Sequence, residues 1–256
     1  MIKNLVFFLL LLPISTFASI SIVSDLDDTI KITNSGDTVD GAYHAALKSD
    51  VFTGISEFLY ATRDYSNELH ILSASPRVLK LKIEMTLKKR HIQYNSIILR
   101  NLALKQSKLD YKVASLKALL EKSSDDFILI GDDVGQDPEA YAKIQELYPN
   151  RILAIYIHVI QNRDNVSGTK YWTTYDLFLR EYEAGRMRPA WVEKGYYIFQ
   201  NENNLEKIFP DFAHCPTNLS PWSWQQSSYF APESLMIATR LVTYCQARNS
   251  SILILQ

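Results

Sequence analysis

The sequence has next to no net charge: 27 basic residues stand against 28 acidic ones, giving −1 at neutral pH. A nucleic-acid partner, which asks for a basic balance, is therefore not expected. Internal repeats and low-complexity tracts are also missing. With 47% hydrophobic and 21% charged residues over 256 positions, this is ordinary globular material. The N-terminal apolar run, Leu5 to Leu12, falls short of the roughly 20 residues that span a bilayer. Lys3 precedes it, Pro13 breaks it, and Thr16-Phe17-Ala18 follows. That pattern predicts a secretory signal peptide, residues 1–18, cut after Ala18, with an uncleaved anchor as the alternative. No cysteine lies near the cut, which argues against a lipid-anchored lipoprotein. The two cysteines, Cys215 and Cys245, come late in the chain. In an exported, periplasmic or secreted protein such a pair reads as a disulfide worth about 2–4 kcal/mol. Two buried free thiols are the other reading.

What is present centres on Ile20 to Thr33. Ile20, Ile22 and Val23 make a short β-branched strand, and Asp25, Asp27 and Asp28 follow within four residues. Asp25 and Asp27 lie two apart, so extended backbone points them to one side. Two like charges there need a cation between them, or one must hold a proton. The chemistry such a pair suits is a nucleophilic aspartate beside an acid/base aspartate with a hard metal ion. The competing reading is an acidic turn paired only with water. A calcium loop of the EF-hand type is excluded, because Ile30 stands where its glycine is needed and Gly36 where its closing glutamate is needed.

Further along, His70-Ile71-Leu72-Ser73-Ala74-Ser75-Pro76 reads as a strand ending in hydroxyls. Ser73 at its carboxyl end is placed to bond a phosphate oxygen, and Ser75 is the candidate helix cap. Arg77 to His91 predicts a helix with a basic face, from Lys80 to Arg90, beside Leu79, Ile83 and Leu87. That face is either solvated or set against an anionic surface. Lys112 is expected to open an amphipathic helix carrying Val113, Leu116, Leu119 and Leu120, where it could balance phosphoryl charge. Phe127 to Gly131 is a buried parallel-type strand running into Asp132 and Asp133. Asp137-Pro138-Glu139 is a helix start, but a cap does not explain Asp132 at the strand end. Ile152 to Ile160 is a further strand, and a helix capped by Thr173 or Thr174 runs to Gly185. Beyond Arg186 the pattern is irregular and aromatic until a last helix from Pro232.

The D-x-D-x-T pattern after an apolar strand resembles the first signature of haloacid-dehalogenase-like phosphatases. More narrowly, S-D-L-D-D-T-I-K-I-T, H-I-L-S-A-S-P, Tyr111-Lys112 and I-G-D-D-V-G-Q-D-P-E-A-Y resemble the fungal actin-patch phosphatidate phosphatase family and its bacterial relatives. The likeness runs from about Ser19 to Arg186, with Asp133 standing where the family has a small residue. It implies an α/β, Rossmann-like three-layer fold with a mostly parallel sheet and a minimal cap. Residues 19–186 would form the phosphatase domain, and 187–256 a mainly helical extension packed on it.

The resemblance also implies the chemistry. Asp25 would be the nucleophile and Asp27 the acid/base. Mg2+ would be held by Asp25, the carbonyl of Asp27 and Asp132. Thr29, Ser73 and Lys112 would bind phosphate, with Asp28, Asp133 and Asp137 either supporting the ligands from behind or serving as auxiliary ligands. The expected substrate is phosphatidic acid or a related phosphomonoester, with possible contact to a membrane surface. Two alternatives stand beside it: a phosphatase of soluble phosphomonoesters, and a module that binds phosphatidic acid without cleaving it.

Overall fold

The computed structural model describes residues 19–34 and 50–254. The expected signal peptide, and residues 35–49 between the first two motifs, lie outside the described residues.

A six-stranded sheet organises the chain. Its strands are β1 (Ile20–Ser24), β2 (Glu68–Pro76), β3 (Ser96–Arg100), β4 (Asp126–Asp132), β5 (Ile152–His158) and β6 (Thr169–Tyr171), in the order β3-β2-β1-β4-β5-β6. Every pairing is parallel. A parallel sheet needs cover on both faces, and the alternation of apolar side chains provides two cores. Ile22, Ile71, Ile128 and Ile130 point to one face, while Val23, Leu72, Phe127 and Leu129 point to the other. The second face is covered by α3 (Lys108–Lys122), through Leu116 and Leu120, and by α4 (Asp137–Leu147), through Tyr141 and Ile144. The first is covered by α1 (Ile55–Ala61), α2 (Lys80–Lys89) and α5 (Thr174–Glu183), through residues such as Phe58, Ile83 and Phe178. This is a Rossmann-like three-layer fold. Because β1 is central and parallel to both neighbours, the loops after β1, β2 and β4 emerge at one edge, where such sheets hold ligands.

The region after Arg186 is more regular than its composition suggests. Pro189 starts a helix, α6 (Pro189–Asn201), that the scattered aromatics concealed. Its apolar positions face the same core as α1 and α5, with Gly195 closely packed on Phe178 and Tyr175. The last helix, α7 (Ala231–Ile254), carries Cys245, which is bonded to Cys215 across a Cα separation of 5.3 Å. The disulfide reading of the two cysteines is the one the structure shows. Trp222, Phe230 and Leu241 are buried in that core, so much of the aromatic content is packing.

Candidate active site

The turn after β1 is built by its own residues. Leu26 and Ile30 are fully buried and anchor it, with Ile30 N and Lys31 N both donating to the Leu26 carbonyl. Asp28 sits at φ 60°, a left-handed geometry that aspartate tolerates by local hydrogen bonding. Its Oδ1 accepts from Thr33 N, Thr33 Oγ1 and Asn34 N. The third aspartate of the motif therefore stabilises the turn, and its neighbours Asp25 and Asp27 are left to the cleft.

Asp25 lies at the carboxyl tip of β1, tied to β4 by its N–H on the Ile130 carbonyl at 2.8 Å. Its Oδ1 accepts from Lys112 Nζ at 2.6 Å, both side chains being buried. The same ammonium also holds Asp137 Oδ1. Asp25, Asp132 and Asp137 each offer an oxygen within 4.8 Å of the others. Asp132 uses Oδ1 to accept from Val134 N and Gly135 N, which shapes the turn after β4. Its Oδ2 accepts from Thr29 Oγ1 at 3.3 Å. Asp137 Oδ2 takes the Asp132 N–H at 3.3 Å.

Three buried carboxylates thus lie around one ammonium, which bonds two of them, Asp25 and Asp137. Burial pushes Asp25 well above the usual carboxylate range; Lys112 pulls it back, and Asp137 and Asp27 push it further. Burial also raises Asp132, with Asp137 and Asp25 adding to it. On Lys112 burial acts downward, but Asp137, Asp25 and Asp132 outweigh it and hold the ammonium above its ordinary range. The residual negative charge and the all-oxygen donor set fit a hard divalent cation. Asp25 and Asp132 are the expected pair of ligands. Asp137, expected only as an auxiliary, joins them on the strength of geometry.

Asp27 occupies the other wall. Its Oδ2 accepts from Ser75 Oγ at 2.7 Å and Ser73 Oγ at 3.1 Å. Ser75 was the expected cap of the following helix, yet the turn after Pro76 has no side-chain cap bond. Its hydroxyl belongs to the site, two residues from Ser73 and on the same side of the strand end. The cleft between these walls encloses about 110 Å³ and includes Lys31, Lys108 and Gln136 in its lining. Lys31 escaped the sequence reading. It is buried, and burial lowers its pKa while Asp27 opposes that. The signal lay in its place one turn past Asp27.

Three expectations are refined. Asp133 points away from the cluster: its Oδ1 accepts from Ile160 N and Gln161 N, and its Oδ2 from Arg163 N, fixing the loop after β5. Asp28 likewise spends its Oδ1 on its own turn, which makes it a support of the site rather than a member of the acidic cluster. Lys112 sits in the second turn of α3, because Ser107 caps that helix by accepting from Asp110 N.

The fold and the acidic centre together define a Rossmann-like α/β protein with a cation-ready site at its strand tips. Residues 20–159, more than half of the chain, match the family described as phosphatidate phosphatase APP1, catalytic domain, and the chain belongs to that family. An uncharacterized protein of Schizosaccharomyces pombe is 26% identical over 164 residues, which are 59% of this chain and 27% of that protein. The chain thus spans about a quarter of that relative's length. Among solved structures, a chain of the Pnkp1/Rnl/Hen1 RNA repair complex matches 61% of this chain and 44% of its own length, at 17% identity and TM-score 0.40. DsGPDH of Dunaliella salina matches 64% of this chain and 29% of its own length, at 14% identity and TM-score 0.42. Scores this low carry no argument about function.

Proposed function

We propose that the chain is an exported, Mg2+-dependent phosphomonoester hydrolase that removes phosphate from phosphatidic acid or a related lipid phosphate. One observation carries the reading. Asp25 is bonded to a buried ammonium and clusters with two further carboxylates, while Asp27 accepts from two hydroxyls on the cleft wall. Family membership supports the same reaction class. The disulfide supports export, and no helix among the described residues is long and apolar enough to cross a membrane.

In this mechanism Lys112 fixes Asp25 through Oδ1 and leaves the other oxygen to attack phosphorus. An aspartyl-phosphate forms as the bond to the leaving oxygen breaks, and Asp27 gives that oxygen its proton. A water molecule then attacks the phosphoenzyme and passes its proton to Asp27, releasing inorganic phosphate and restoring Asp25. Asp25, Asp132 and Asp137 would hold the metal, whose contribution is to shield phosphate charge. Most of the rate gain comes from positioning and charge stabilisation. The cleft lining is mainly charged and hydroxylic, with Ala74, Leu79 and Ile83 as its apolar members. That composition suits a phosphoryl group and leaves acyl chains outside.

A phosphate-release panel tests this: phosphatidate vesicles, sugar phosphates and nucleotides, each with and without chelator. Vesicle phosphatidate is expected to be hydrolysed, with activity lost on chelation. Asp25→Asn should abolish turnover while the circular dichroism spectrum stays native. A wild-type rate in that variant at saturating Mg2+ defeats the mechanism. Turnover of soluble esters alone moves the substrate to that class, and stoichiometric lipid binding with no release makes the chain a sensor.

A further inference from the structure

The basic segment after β2 is not absorbed by the chemistry. Between Arg77 and Lys108 the chain carries nine lysines and arginines against one acidic residue, Glu84, within a chain whose net charge is −1. The same segment exposes its large apolar side chains. Val78 is 89% exposed, Leu81 76% and Met85 71%. They lie three and four positions apart, so they form one stripe along α2 and the turn that leads into it. Leu102 and Leu104, on the turn after β3, are also exposed.

These two apolar stretches share an edge of the sheet. β2 and β3 are adjacent and parallel, so the segments that leave their carboxyl ends emerge side by side. Arg77 Nε bonds the Leu99 carbonyl across them, and Arg100 bonds the Gln106 carbonyl, fastening the second turn. It is also the edge that holds the cleft. α2 and the turn before it contribute Ile83 and Leu79 to the cleft wall and turn Leu81 and Met85 to solvent, and Lys108 closes the lining from the other stretch.

We propose that this face, the α2 stripe with the Leu102–Leu104 turn, is a docking surface for an anionic phospholipid bilayer that brings the cleft mouth to the headgroup layer. Charge complementarity selects the occupant. Exposed aliphatic side chains interleaved with lysines suit a negatively charged interface, where apolar tips enter the acyl boundary and ammonium groups meet phosphates. A folded protein partner would call for a flatter, less cationic patch with aromatic anchors. The proposal deepens the lipid-phosphate reading above and rests on it for its purpose, but the surface itself binds bilayer whether or not Asp25 turns over.

The test separates the two. Sedimentation of the full chain is compared on vesicles of pure phosphatidylglycerol, which has no phosphomonoester, and pure phosphatidylcholine. Wild type is expected on the anionic vesicles and not on the neutral ones, with binding weakened by salt. K80Q/K88Q should weaken it about tenfold or more, and L81S/M85S should remove the part that survives high salt. None of these four residues lines the cleft, so hydrolysis of a soluble phosphomonoester should remain at the wild-type rate in both variants. Equal binding to the two lipids, or variants that bind like wild type, overturns the surface. So does recovery only on an acidic polypeptide such as polyglutamate. Binding as expected with no phosphatase activity toward any ester leaves the surface standing and defeats the catalytic reading alone.

Discussion

The Lys112 ammonium reaches Asp25 from 87 positions away in the chain, at 2.6 Å, with both side chains buried. It is the only cation bonded to the buried carboxylates of Asp25 and Asp137 among the described residues. The nucleophile candidate is therefore oriented by a charge that comes from a different layer of the fold.

Replacing that lysine tests the arrangement. Lys112→Met leaves the buried carboxylates without their counter-charge, which typically costs about 3–5 kcal/mol. The variant should melt well below wild type in chelator and recover part of the loss in Mg2+. Activity should fall roughly 10²–10³-fold, the scale for losing one preorganised charge contact. An unchanged melting temperature in chelator would show that Lys112 is not the balancing charge.

The serine pair on Asp27 gives a different signature. Ser75→Ala removes the shorter bond to Asp27 Oδ2 and leaves Ser73 in place. If Ser75 positions the acid/base, kcat should drop about tenfold with KM little changed, since a hydrogen bond to a charged group is worth about 1.5–3 kcal/mol. A loss confined to KM would point to phosphate contact instead.

Metal affinity should depend on pH, with a definite sign. Burial raises both Asp25 and Asp132 in the metal-free chain. Their contribution to stability is complete below the ordinary carboxylate pKa and is lost as pH rises through the raised values. Protons and Mg2+ compete for the same oxygens, so apparent affinity should rise with pH until these groups have ionised, then level off. Calorimetry in two buffers of different ionisation enthalpy should show proton release on binding. Affinity that does not vary with pH would contradict the cluster.

Asp176 offers a control outside the cleft lining. Its Oδ2 accepts from Trp172 N and Thr173 N in a capping box with Thr173, and its Oδ1 accepts from Gln225 at 2.6 Å. Burial pushes it up to about 6, with the Trp172 and Thr173 N–H groups opposing. Ionising it in the folded chain should cost about 3 kcal/mol relative to the unfolded chain, at 1.36 kcal/mol per pH unit. Wild-type stability should decline relative to Asp176→Asn between about pH 4 and pH 6. Urea melts across that range check it, and a constant difference between the two proteins would refute the raised pKa.

Much of this was legible in the sequence because it is local. Ile20 to Val23 and Phe127 to Gly131 are largely apolar runs too short for helices, and a carboxylate within two residues of the end of each must stand at a strand tip. Their shared burial follows from parallel strands needing cover on both faces. The partners of those carboxylates were not legible, since they depend on contacts between distant segments. Asp137 looked like a cap and is instead a buried member of the acidic cluster, held there by Lys112. Ser75 looked like a cap and bonds Asp27. Asp28 and Asp133 could be read as auxiliary ligands or as supports, and each bonds N–H groups of its own or a neighbouring loop. The sequence by itself determined which residues arrive at the carboxyl edge of the sheet, through strand length and alternation. Only the tertiary structure decided which of them face one another, because the side-chain direction at a turn depends on backbone angles such as the 60° φ of Asp28 and on a lysine supplied by another layer.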